Sequence, residues 1–187
     1  MFQDSLQESI AVKQKLLADA AFWESLKQAS EMTTQALLGG RKILVAGNGG
    51  SAADAQHLAA EFTGRFIRER RGYPAIALTT DSSALTAIAN DYGFPRVFAR
   101  QVEALAVPGD VVVALTTSGA SPNVLAGIRA ARARGASVIG LTGARGRAFA
   151  ARCDVAFVVP TRFTPHVQET HIAIGHILCE LADKALA

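Results

Sequence analysis

The sequence predicts an α/β domain. A five-stranded parallel sheet is flanked by helices, preceded by an N-terminal helical hairpin and closed by a long C-terminal helix. Three observations predict it. Five short apolar runs recur along the chain: K-I-L-V-A (42–46), A-I-A-L (75–78), V-V-V-A-L (111–115), S-V-I-G-L (137–141) and V-A-F-V-V (155–159). Helical stretches separate them, and continuous apolar strands alternating with helices form parallel sheets covered on both faces. Finally, 187 residues suffice for one domain with a sizeable core, and no linker, repeat or low-complexity tract divides the chain.

Residues 2–38 read as two helices. Phe22, Leu26, Ala29, Thr33, Ala36 and Leu37 form a helical stripe, Leu6, Ile10 and Leu17 a weaker one, and Gly39-Gly40 stops the second helix. After the first strand a glycine-rich turn opens directly into a helix at about 51–64. Helices at about 83–90 and 95–105 follow the second strand, and Pro108-Gly109-Asp110 turns the chain into the third. The next helix, about 121–134, has Ser121 as N-cap and Pro122 at its first position. A short helix at about 146–151 precedes the fifth strand. The last helix, about 165–186, carries Ile172, Ala173, Ile174, Ile177, Leu178, Leu181 and Ala182 around most of its circumference. Such a helix must be buried, and in so small a chain burial between subunits is expected. Parallel strands require right-handed crossovers.

Half of the residues are hydrophobic and 19% are charged, which points to surface hidden in an oligomer. The net charge is +3, with basic residues such as Arg68, Arg70 and Arg71 clustered where a solvated loop or helix end is expected. Aromatics are not interleaved with these charges, which argues against a nucleic-acid surface. The mild positive balance favours encounter with phosphorylated metabolites. Cys153 and Cys179 are isolated, which excludes a zinc ribbon or a thioredoxin-like pair and suits a reducing cytoplasm. M-F-Q-D-S-L-Q-E-S-I lacks a basic start followed by an apolar run, so no secretory leader is expected. No segment is long and apolar enough to be read as a membrane span.

Ligands of open α/β sheets bind at the carboxyl ends of the strands, and three unusual loops lie there. The first is Gly47-Asn48-Gly49-Gly50-Ser51, whose peptide N–H groups face outward at a helix N-terminus, where anions bind. Its helix carries His57 and Glu61 four residues apart, on one face, with Asp54 nearer the start as a partner for the helix dipole. The second loop runs from Thr79 to Gly93. The third, Thr116-Thr117-Ser118-Gly119-Ala120-Ser121-Pro122, has the hydroxyls and the following helix of a phosphate cradle. In the last helix His176 sits among apolar residues and needs a partner, for which Glu180 at i+4 is one candidate. His171 reads as a hydrogen-bonding bystander, and His166 as a solvent-exposed residue of a loop or helix end.

A dinucleotide-binding reading competes for the first loop, because Gly47, Gly49 and Ala52 match G-x-G-x-x-G/A and Asp81 follows strand two. Asp81 lies farther along than a ribose-binding acid usually does, no room remains for a substrate domain, and the Ser/Thr loop has no role in that scheme. The first loop also lacks the Gly-Lys-Ser/Thr ending of a P-loop.

The strings G-N-G-G-S-A-A-D-A-Q-H-L-A-A-E, A-L-T-T-D-S-S-A-L-T-A-I-A-N-D-Y-G, T-S-G-A-S-P-N-V and V-Q-E-T-H-I-A-I-G-H-I-L-C-E-L together resemble the phosphoheptose isomerases, a branch of the sugar isomerase (SIS) domains. The resemblance spans nearly the whole chain, read as one SIS domain over 1–187. In it the helices of 1–38 serve oligomerisation, and residues 41–187 form the α/β sandwich and final helix. It implies interconversion of sedoheptulose 7-phosphate and D-glycero-D-manno-heptose 7-phosphate, the entry step for heptose in bacterial surface glycans. It also implies a homotetramer with active sites at subunit junctions and one Zn2+ per site. The implied metal ligands are His57, Glu61, Gln168 and His176. The implied substrate contacts are Asn48, Gly49, Gly50, Ser51, Glu61, Asn90, Asp91, Thr116, Thr117, Ser118, Ser121 and Gln168. Glu61 and His176 are the implied acid/base pair. The alternative that the resemblance carries is a non-catalytic SIS protein that binds the replication initiator or senses a sugar phosphate. Retention of Glu61 and His176 favours the enzyme.

The spacing of two implied ligands adds a geometric expectation. Gln168 and His176 are eight residues apart, which is ~12 Å along a helix and too far to share one ion across bonds of ~2 Å. The four ligands are therefore expected to come from more than one subunit, or the helix to begin late enough for Gln168 to fold back.

Overall fold

A computed structural model describes residues 2–186, with no side-chain description of Phe2. The elements in chain order are α1 (Phe2–Leu17), α2 (Ala20–Leu38), β1 (Ile43–Ala46), α3 (Gly50–Thr63), β2 (Ala75–Ala77), α4 (Ser82–Tyr92), α5 (Val97–Leu105), β3 (Val111–Thr116), α6 (Pro122–Ala133), β4 (Ser137–Gly143), α7 (Arg147–Ala150), β5 (Val155–Val159) and α8 (Thr164–Ala185). A single 3-10 turn, Phe94–Arg96, joins α4 to α5.

The five strands form one parallel sheet in the order β2-β1-β3-β4-β5. Because side chains alternate across a strand, an all-apolar strand feeds two cores. Ile43, Val45, Val111, Val113, Leu115, Ile139 and Leu141 pack under α2, α3 and α8 with Leu26, Ala29, Leu58, Phe62, Ile174 and Leu178. Leu44, Ala46, Val112, Ala114 and Val138 pack on the other face with Val97, Phe98, Val102, Val124 and Ile128 of α5 and α6, and with Phe149.

Local signals set the element ends. Asp19 caps α2 through the Ala21 N–H at 2.9 Å. Asp81 caps α4 through the Ala84 N–H at 2.9 Å, which occupies the one carboxylate the dinucleotide reading required. Asp110 is fully buried and accepts from the N–H groups of Lys42 and Val107 while Lys42 Nζ approaches to 2.7 Å. Burial alone would raise this carboxyl, but the Lys42 ammonium and the two peptide N–H groups outweigh it and hold it below the usual carboxylate range.

The inward face of α8 is buried inside the protomer, with Val167, Ile174, Leu178, Cys179 and Ala182 against the sheet and α3, whereas Ile172, Ala173, Ile177 and Leu181 are only part-buried and are the apolar remainder that the expected subunit contact would cover. One expectation is corrected here. Arg70 is not solvated: its side chain is only 7% exposed and pairs with Asp183, itself 2% exposed. By contrast, Leu6, Ile10, Leu17, Trp23 and Leu38 of the α1–α2 hairpin do lie exposed.

Candidate active site

The strand order reverses between β1 and β3, since β2 lies on one side of β1 and β3 on the other. The loops after β1 and β3 diverge from that point and open the crevice where α/β sheets bind ligands. Gly49 (φ 56°) sits in the left-handed region at the N-cap of α3, a conformation that favours glycine. A Cβ on Gly50 would lie 2.3 Å from Gln168 Nε2, so the absence of a side chain at Gly50 is what lets the Gln168 carboxamide rest on the N-terminus of α3. Asn48 exchanges two hydrogen bonds with Asn123 of α6, at 2.9 and 2.8 Å. Asn123 is buried and was given no role from the sequence, yet this amide pair ties the first loop to the third. Ser51 is buried beneath the first loop.

In the third loop Thr116 is buried and its hydroxyl braces the turn, meeting Ser121 Oγ at 3.0 Å and accepting from the Gly119 N–H at 3.2 Å. Ser121 occupies the N-cap position of α6, but makes no side-chain cap bond there. The Ser118 hydroxyl accepts from the Ala120 N–H at 3.2 Å, and Ser118 is exposed. Thr117 is half-buried and its carbonyl accepts from the Gly143 N–H at 3.2 Å. The loop therefore spends some hydroxyls on its own shape and leaves others at the crevice.

α3 and α8 pack side by side, which sets the i,i+4 pair of α3 against one residue of α8. His57 Nε2 lies 2.9 Å from Glu61 Oε1, and His176 Nε2 lies 3.3 Å from His57 Nε2. One ligand-capable atom from each of His57, Glu61 and His176 falls within 4.8 Å of the others. Two imidazole nitrogens and a carboxylate oxygen, all bearing lone pairs and converging on one point, fit a zinc ion. Phe66 stacks on the His176 ring at 5.5 Å and 28°. His57 is half-exposed and Glu61 less so, leaving the cluster open to a ligand.

This geometry rules out the folding-back of Gln168 and leaves the other expectation from spacing, that the fourth ligand comes from another subunit, in force. Three of the four implied ligands, Glu61 and His176 included, meet within one protomer. The helix is unbroken from Thr164 to Ala185, and Gln168 lies against Gly50 rather than folding back to His176. His176 pairs with His57 and not with Glu180, which bonds Lys184 at 2.6 Å. Asn90 and Asp91 of α4 are exposed and bonded to each other at 2.8 Å, on a helix with no buried residue. Asp54 lies beyond the first turn of α3, with Oδ2 buried and without a hydrogen bond; burial raises its carboxyl and His57 partly offsets this. His166 is buried, its ring edge-on to Phe163 at 4.7 Å, where exposure was expected.

The SIS domain family model matches residues 7–143. The phosphoheptose isomerase of Solidesulfovibrio magneticus is 56% identical over 181 residues, which cover 97% of this chain and 87% of that one. The structure of the phosphoheptose isomerase GmhA from Neisseria gonorrhoeae superposes with a TM-score of 0.91 at 46% identity, covering 98% of this chain and 97% of that one. That of a phosphoheptose isomerase from Francisella tularensis gives 0.92 at 36% identity, covering 98% and 96%. Motifs, fold and similarity along nearly the whole length converge, and the chain belongs to the phosphoheptose isomerase family of SIS-domain proteins.

Proposed function

We propose that the protein converts D-sedoheptulose 7-phosphate to D-glycero-D-manno-heptose 7-phosphate, the first step toward the nucleotide-activated heptose of bacterial surface glycans. The observation that carries this reading is the convergence of Glu61 with His57 and His176 beside a crevice lined by an anion-binding turn and a hydroxyl loop. A ketose becomes an aldose when a proton leaves C1 and another arrives at C2 through an enediol, while the oxygens exchange a proton of their own. A carboxylate and an imidazole can divide that work, and Glu61 and His176 are the pair. The Thr117 and Ser118 hydroxyls, with the N-termini of α3 and α6, hold the phosphate, so the far end of the sugar fixes the reacting end. Asn48, Gly49, Gly50, Ser51 and Gln168 shape the wall between them. His57, Glu61 and His176 would hold Zn2+, joined by Gln168 in the family's ligand set, and the ion supplies polarisation of the substrate carbonyl when bound.

Asn90 and Asp91, exposed on α4, reach substrate in this scheme at a junction between protomers. The exposed apolar residues of the α1–α2 hairpin supply the contacts of a homotetramer. A cytoplasmic location accords with two free cysteines. No helix among the described residues is long and apolar enough to cross a membrane.

The test is turnover of sedoheptulose 7-phosphate by the purified protein supplied with zinc. Absence of turnover under these conditions would transfer the chain to the non-catalytic, sugar-phosphate-sensing reading. The loop makes a second prediction. Thr116→Val keeps the shape but removes two hydrogen bonds that brace the turn. At about 1 kcal/mol per bond, partly recovered by relaxation, KM should rise about tenfold with a smaller change in kcat, read from steady-state kinetics.

A further inference from the structure

The segment that leaves α3 doubles back along that helix before entering β2. It passes so tightly that a Cβ on Gly72 would lie 2.4 Å from the Thr63 carbonyl oxygen. Within it, Arg70 turns inward. Its Nη2 donates to the Glu61 carbonyl at 2.9 Å, and its Nη1 to the carbonyls of Phe62 at 2.9 Å and Gly64 at 3.1 Å. Its Nε donates to Asp183 Oδ1 at 2.5 Å. Asp183 is on α8, seven residues past His176, two turns along the same face. Its second oxygen accepts from the N–H groups of Ile67 and Arg68 at 3.0 and 3.2 Å.

We infer that Arg70, oriented by Asp183, is a positioning residue for the Glu61–His176 pair, a role that rests on the function proposed above. Glu61 lies in the last turn of α3, where carbonyl groups lack helical partners and helices fray. The guanidinium is the cap of that turn, and it bonds the peptide of Glu61 itself. The same group is anchored to the helix that carries His176. The strap between them lays Phe66 on the His176 ring. A buried ion pair adds little stability over a well-packed apolar pair, so stability alone does not require these two charges. An apolar pair cannot bond the carbonyls that end α3, and that is the task the pair performs.

Two variants test this, each read by kcat, by KM for sedoheptulose 7-phosphate, by zinc affinity in competition with a chromophoric chelator, and by thermal midpoint. Arg70→Lys keeps the charge and loses the fork. We expect kcat and zinc affinity each to fall about 10- to 100-fold, with KM within about threefold. The double change Arg70→Met with Asp183→Leu removes both charges together. We expect it to lose kcat and zinc affinity as Arg70→Lys does, because neither apolar side chain can bond the carbonyls that end α3. Parental kcat and zinc affinity in the double variant, whatever its thermal midpoint, would make the pair merely structural and overturn the inference. So would Arg70→Lys with kcat and zinc affinity within about twofold of the parent. If the double variant does not fold, Arg70→Lys decides alone. A parent protein without turnover defeats the proposed function, and the zinc measurement still judges the inference.

Discussion

Glu61→Gln is expected to lower kcat by about 10³-fold or more while leaving the fold intact. A positioned acid or base contributes about 10²- to 10⁴-fold. The amide keeps the size of the carboxylate and can still bond His57 Nε2, now 2.9 Å from Oε1, but it accepts no proton. His176→Ala is expected to act to a similar degree, with one further consequence. It removes the ring that meets both His57 and the Phe66 face, so the cluster opens as well as losing a base. The two roles separate in the metal readout. A Glu61→Gln protein that still binds zinc but has lost turnover assigns the loss to proton transfer. Retained turnover in both variants would leave the family membership standing and remove the mechanism.

The fold was legible because its signals are local. Each apolar run became a strand within a residue or two, with β3 continuing to Thr116 and β4 to Gly143. The His57–Glu61 pair was legible for the same reason, being four residues apart on one helix face. His176 was singled out as needing a partner, but the nearest candidate in sequence was Glu180. The actual neighbour, His57, is 119 residues away, and only the packing of α8 on α3 selects it. Arg70 and Asp183 were hidden for a related reason. An arginine in a charged run is usually solvated, and nothing local says that a carboxylate 113 residues on will receive it. Asn123 sat inside a quoted motif without a role, because an amide reveals its purpose only once Asn48 is opposite it.

His171 gives the second large effect, this time on stability. It was expected to be a hydrogen-bonded bystander, yet its ring is buried and neither nitrogen has a partner of good geometry. Burial pushes its pKa down from 6.5 to about 4, and the nearby Thr142 backbone offsets this only in part. The folded state therefore binds the proton more weakly than the unfolded chain does. Between pH 6.5 and about 4 the unfolded state carries more protons, so stability is whole above that window and is lost as pH falls through it. At about 1.36 kcal/mol per pH unit, the loss amounts to about 3 kcal/mol. Asp110, Asp183 and Glu169, all held below the usual carboxylate range, lose their contributions at lower pH, below about 3.9 for the two aspartates and about 4.3 for Glu169. Asp54, raised by burial, works in the opposite direction, so the difference between variants is the observable rather than the curve itself. His171→Leu should flatten the profile of unfolding free energy, measured by urea denaturation at steps between pH ~4 and ~7.5. An unchanged slope in the variant would show that the ring is not held neutral by burial. A flattened slope together with undiminished stability at neutral pH would show that the imidazole is dispensable to the fold, since an unpartnered polar ring in an apolar interior is a cost that leucine does not carry.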